Sequence, residues 1–158
     1  MGLVFGEFKT GQVFLTPRRT ITEADIGAFA ALTGDWNPVH TDAVFAAQTP
    51  FGAPIAHGPM LVGIAFGLLA RLDVIDGTVE ALLSIGWDFA GPVRIGDTVR
   101  IRATVTETRP TRQPGRGIVV LAITVENQRG EAVQEGRATL LMRSQPHPAA
   151  AWGRTDPP

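Results

Sequence analysis

The sequence predicts an α+β domain in which an antiparallel sheet wraps one central helix. Three observations carry this expectation. Residues 59–70 form an uncharged apolar stretch of helical length. After Gly77 the apolar positions switch to a period of two and keep it through successive segments. Short stretches holding Gly and Pro join those segments, so consecutive strands become antiparallel neighbours.

At the N-terminal end, "QVFLTPRRT" (12–20) alternates weakly and reads as an edge strand, where Pro17 is tolerated. A well-marked helix follows. Thr22 is its N-cap, Asp25 completes an approximate capping box, and Ile21 with Ile26 makes a hydrophobic staple. Ile26, Phe29 and Ala30 share one face, and Gly34 ends the helix in a left-handed turn. "DWNPVH" (35–40) is expected to be a loop, because Pro38 opposes regular helix and biases Asn37 to extended geometry. Asp42 caps a short helix reaching Gln48, and "TPFGAPIA" (49–56) is a second loop.

The central helix is expected over residues 59–72. It is apolar on every face, the mark of a helix buried all round. Gly63 and Gly67 lie one turn apart, a spacing that predicts close approach of another backbone. In 81–90, Leu83, Ile85, Trp87 and Phe89 alternate with Ser84, Gly86 and Asp88. In 98–107, Val99, Ile101, Ala103 and Val105 alternate with Arg100, Arg102 and Thr104. Segments 117–127 and 132–143 supply two more strands. Residues 1–145 form one domain on this reading, and 146–158 a loose Pro-rich tail.

Composition agrees with one compact domain: 44% of the 158 residues are hydrophobic and 18% charged. A net charge of −1 gives no overall pull towards nucleic acid or an anionic membrane. The absence of cysteine excludes disulfides, thiolate metal sites and a cysteine nucleophile. The start "MGLVFGEFKTGQ" lacks the basic, then apolar, pattern of a signal peptide, and Gly6 stands where a myristoylation signal wants Ser or Thr. The apolar run at 59–70 is shorter than the ~20 residues a bilayer requires. A soluble, cytoplasmic protein is expected.

Two of the three histidines flank the central helix or lie close before it. His40 follows Asp35 by five residues, which is not the helical spacing of a two-ligand zinc site. A loop that turns back can instead aim a carboxylate and an imidazole at one water and move its protons. Asn37, between them, can orient either. The residue types alone favour an exposed loop in which Asp35 caps the turn and His40 is solvated, because polar loops are common. Gly58 opens the central helix, and Pro59 suits a first helical position. Free N–H groups there, with no side chain at Gly58 in the way, form an oxyanion hole or serve only as helix punctuation. His57 reads as a structural imidazole bonded to loop backbone, or as a second base. Trp36 walls an acyl pocket or packs under its loop. Arg109, Arg112 and Arg116 flank a turn, as a solvated hairpin tip or as contacts for phosphate.

The stretch "TGDWNPVHTDAVFAAQTPFGAPIAHGPML" (33–61) resembles the hydratase motif of MaoC-like dehydratases, the (R)-specific enoyl-CoA hydratases of the hotdog fold. Gly34, Asp35, Asn37, Pro38, His40, Asp42, Phe45, Ala46, Phe51, Gly52, Ile55, His57 and Gly58 carry the likeness. It continues through "DFAGPVRIGDTVRIRATV" and "VENQRGEAVQEGRATLLMR", covering residues 8–143. The resemblance implies a hydro-lyase that reversibly hydrates a trans-2-enoyl thioester to the (R)-3-hydroxyacyl thioester. Asp35 and His40 would be the catalytic acid/base pair. The Gly58 N–H would bind the thioester oxygen, with Asn37 supporting the site. No metal or redox cofactor is implied; coenzyme A or acyl carrier protein would carry the substrate. A homodimer or larger homo-oligomer is expected, with no nucleic-acid or membrane partner. Phe66 departs from members with a small residue on the helix, and Pro59 removes one N–H near the oxyanion. A hotdog thioesterase would place its carboxylate on or near the central helix, where 59–70 has none. A non-catalytic subunit of a two-component dehydratase would not be expected to keep both Asp35 and His40.

Overall fold

The computed structural model describes residues 2–145. The expected tail at 146–158 lies outside them. After a 3-10 turn at Phe5–Glu7 the elements are β1 (Val13–Leu15), β2 (Arg19–Thr20), α1 (Glu23–Thr33), α2 (Pro38–Thr41), α3 (Ala43–Ala47) and α4 (Gly58–Ala70). Four long strands complete the order: β3 (Val79–Phe89), β4 (Thr98–Pro110), β5 (Arg116–Glu126) and β6 (Ala132–Arg143). The sheet runs β1-β4-β5-β6-β3, with β2 also on β4, and every pairing is antiparallel. The α+β expectation therefore holds, as does the central helix.

α4 lies on the sheet's inner face. Met60, Leu61, Ile64, Ala65, Leu68 and Leu69 are buried against Val99, Ile101, Ala103 and Val105 of β4, with Leu121, Ile123 and Leu140 beyond. The alternation in β4 works as read: those four residues are fully buried, while Arg100, Arg102 and Thr104 are partly exposed. On the outer face Arg100 and Arg102 both bond the carboxylate of Glu126, at 2.8 and 2.9 Å. The hydrogen bond from Arg102, aided by that from Arg100, holds this carboxyl below the usual glutamate range against the opposing effect of burial.

Several expectations need correction. The single edge strand at 12–20 is two short strands, because Pro17 has no N–H to give to the ladder. α1 matches its reading down to the Thr22–Asp25 capping box and the Gly34 cap at φ +77°. α2 was not expected: Pro38 occupies its first turn, where a missing N–H costs nothing, and the Asn37 side chain caps it by accepting from Val39. The central helix begins one residue earlier than read and ends at Ala70. Nor is it buried all round: Pro59, Gly63 and Gly67 form an exposed stripe. A Cβ added at Gly63 or Gly67 would meet nothing within 4 Å, so no other element among the described residues packs against them there.

The largest difference is in β3. It has a strand partner on one side only, β6, and leaves Leu82, Leu83, Ile85 and Phe89 between 43% and 55% exposed. Alternation marks an apolar face but not whether the folded chain covers it.

Candidate active site

The site is built where the chain leaves α1 and where it enters α4. Gly34 turns the chain so that Asp35 begins a tight turn, in which the Asn37 N–H donates to Asp35 Oδ1 at 3.2 Å. The Asp35 side chain is 51% exposed. One residue turn further, α2 presents His40. Its Nδ1–H donates to the Ile55 carbonyl at 2.8 Å, which leaves Nε2 of the neutral ring as the free acceptor. The Ile55 N–H in turn donates to the Val39 carbonyl, so the two Pro/Gly loops brace each other.

His57 is the N-cap of α4 and is buried. Its Nε2–H donates to the Asp35 backbone carbonyl at 2.9 Å, and its Nδ1 has no protein partner. Its ring stacks on that of His40, with centroids 3.8 Å apart and planes 28° apart, and packs against Phe29 at 5.0 Å. Nitrogen and carboxylate oxygen atoms of Asp35, His40 and His57 lie within 4.8 Å of one another. That proximity alone does not make a metal site. His57 Nε2 carries the proton it gives to the Asp35 backbone carbonyl and is not free as a ligand in that state. The spacing does leave room for a water between a carboxylate and an imidazole.

His40 and Gly58 line one cavity of about 450 Å³, together with Phe51, Ile55, Phe89 and Gln134. Gly58 is absent from the glycines with positive φ, so its lack of a side chain matters for space. A Cβ there would sit 2.8 Å from the Phe89 ring. In the first turn of α4, Pro59 has no N–H and the Met60 N–H is given to the His57 carbonyl at 3.1 Å. Gly58, the first residue of α4, lines the cavity.

Asp35 and His40 lie close together, and His40 and Gly58 share the cavity, whose lining does not include Asp35. Asn37 takes part differently: its backbone N–H holds Asp35, and its side-chain oxygen is committed to capping α2. Trp36 is 58% exposed and borders a separate, smaller cavity on the other side of His40. At the β4–β5 turn Arg109 is paired with Glu107 and Arg116 with Glu80. That turn lies the length of β6 away from Gln134, since Arg116 is opposite Arg143. Phe51, Phe89 and Gln134 were not foreseen as lining residues.

A long central helix inside an antiparallel sheet, with a carboxylate–imidazole loop at the helix entrance, is the hotdog architecture. A Mycobacterium tuberculosis protein described as a double hotdog fold superposes with a TM-score of 0.80 at 22% identity, over 99% of this chain and 52% of that one. Residues 7–127 match the MaoC like domain, and the chain belongs to that family. The (R)-specific enoyl-CoA hydratase of Rhodospirillum rubrum is 35% identical over 138 residues, 87% of this chain and 90% of the relative. The R-hydratase PhaJ1 of Pseudomonas aeruginosa has a TM-score of 0.78 at 32% identity, covering 91% and 88% of the two chains. The 3-hydroxybutyryl-CoA dehydratase of Methylorubrum extorquens is 38% identical over 63% of this chain. The chain spans 62% of that relative's length, and 30% of the protein MaoC of Klebsiella aerogenes. No helix among the described residues is long and apolar enough to cross a membrane.

Proposed function

We propose that the protein is a hydro-lyase that adds water reversibly to a trans-2-enoyl thioester, giving the (R)-3-hydroxyacyl thioester. One observation carries this reading: His40 and Gly58, at the start of α4, line one largely apolar cavity, and the Asp35 carboxylate lies within 4.8 Å of a His40 ring nitrogen. Water held between Asp35 and His40 attacks C3 of the enoyl group. One of the pair takes the water's proton, and a proton is delivered to C2. The negative charge that develops on the thioester oxygen is met by the Gly58 N–H at the positive end of α4. His40 suits proton transfer because Ile55 fixes its tautomer and leaves Nε2 open. The thioester itself acidifies C2, so this scheme calls for no metal or redox cofactor. Relatives named as enoyl-CoA hydratases support the substrate class.

A thioesterase is disfavoured by the same geometry. α4, where that reading would place its carboxylate, has none along its length. Crotonyl-CoA distinguishes the readings. The enoyl absorbance is expected to fall with no free thiol and with (R)-3-hydroxybutyryl-CoA as product. Release of thiol would make the protein a thioesterase, and neither change would make it a binding chain.

We also infer a homodimer joined through β3. An unpaired edge carrying Leu83, Ile85 and Phe89 invites a second copy, and two such edges close across a two-fold axis. Phe89 belongs both to that edge and to the cavity, so pairing borders the site. Light scattering should give twice the chain mass; a fully active monomer would contradict this arrangement.

A further inference from the structure

Gln134 is only 2% exposed, and a buried amide must find partners at both of its ends. Its Oε1 accepts from the Trp87 indole N–H at 2.9 Å, and its Nε2 donates to the Gly58 carbonyl at 3.2 Å. The surroundings make this contact specific. Trp87 stands opposite Gly136 in the β3–β6 ladder, and a Cβ at Gly136 would lie 2.1 Å from the indole, so glycine makes room for the ring. Phe89, opposite Gln134 in the same ladder, fills the space beside Gly58. The start of α4 is therefore held by the sheet: a ring on one side of Gly58 and an amide on its carbonyl. Gly58 is the first residue of α4, and the setting of its backbone decides where its N–H points.

We propose that Gln134 is a positioning residue: held by Trp87, it fixes the Gly58–Pro59 peptide through the Gly58 carbonyl, and so steadies the helix start from which the Gly58 N–H, one peptide earlier, meets the thioester oxygen. This rests on the hydratase reading. The contribution is realised when charge develops on that oxygen, so it acts on turnover more than on binding.

Two variants test it on the full-length protein with crotonyl-CoA. Gln134→Met keeps the volume and removes both hydrogen bonds; kcat is expected to fall about tenfold, with KM within about twofold. Gln134→Glu keeps the acceptor for Trp87 but, when ionised, sets a charge against the Gly58 carbonyl and near the developing oxyanion. Burial raises its carboxyl pKa, and the protonated acid regains a donor. Its activity relative to wild type should therefore rise as pH falls. A structural role alone would lower the melting temperature and leave both the kcat effect and the acid-side recovery absent. The proposal is overturned if folded Gln134→Met keeps kcat within about twofold of wild type, or if the ratio of Gln134→Glu to wild type is flat with pH. Should Gln134→Met not fold, the Gln134→Glu profile decides alone. Absence of hydration by the wild-type protein removes the hydratase reading, and this proposal with it. An active wild type with unaffected variants removes this proposal only.

Discussion

His40 and His57 are the same side chain stacked face to face, and their surroundings give them opposite tasks. His40 sits on a one-turn helix between two loops, fixed at Nδ1 and open at Nε2 beside the cavity. His57 is closed in at the head of the central helix, its Nε2 bonded to the Asp35 backbone carbonyl and 3.9 Å from the Asp35 carboxylate. A proton-transfer group needs one anchored nitrogen and one free to meet substrate or water. A scaffold group needs burial and a partner. The pair teaches that the loop residue is placed by the core residue beneath it.

The difference is sharpest under substitution. His40→Ala should lower the hydration rate by about 10²-fold or more while leaving the melting temperature nearly unchanged, because a part-exposed loop side chain carries little of the core. His57→Ala should do the reverse in proportion. It removes a buried ring and the hydrogen bond to the Asp35 carbonyl, at a cost of about 2 kcal/mol or more in stability, with a smaller loss of rate through the loosened loop. Thermal unfolding and initial rates on both variants check this; equal losses in both quantities for both residues would erase the distinction.

A smaller effect separates the site from the sheet's outer face. Glu126 is bonded by Arg102 and Arg100, and its folded carboxyl titrates below the ordinary value. The stability it contributes is present above the unfolded carboxyl's pKa and is lost as pH falls through the depressed folded one. Glu126→Gln should cost about 1 kcal/mol or less near neutrality, because the arginines are partly solvated, and should flatten the acid limb of stability against pH. Chemical denaturation across that range, with activity unchanged at neutral pH, is the check.

Much of this was legible in the chain. The capping box at Thr22, the glycine at 34 and the alternation of β4 are local signals, and local signals survive folding. Asp35, His40 and Gly58 were singled out by the family resemblance of 33–61, since residue types alone left a solvated loop and a plain helix start open. What could not be read depends on non-local placement. The alternation in β3 looks like that in β4, yet only its place at the end of the strand order leaves it exposed. Gly63 and Gly67 promised a close neighbour that the described residues do not supply. Pro38 was read as a breaker because its position inside a turn is set by the Asn37 cap. Gln134 is far from Gly58 in sequence, and only β3–β6 pairing brings its amide to the helix start.

The central claim is that Asp35 and His40 act on one water. A double-mutant cycle in crotonyl-CoA hydration tests it most directly, using Asp35→Asn, His40→Ala and the two combined. Each single variant is predicted to lose about 10²-fold or more, and the double variant to be at most a few-fold worse than the poorer single one, since groups that serve one step are not additive. Retention of more than about a tenth of the wild-type rate by either folded single variant, or losses that multiply in the double, would contradict the account.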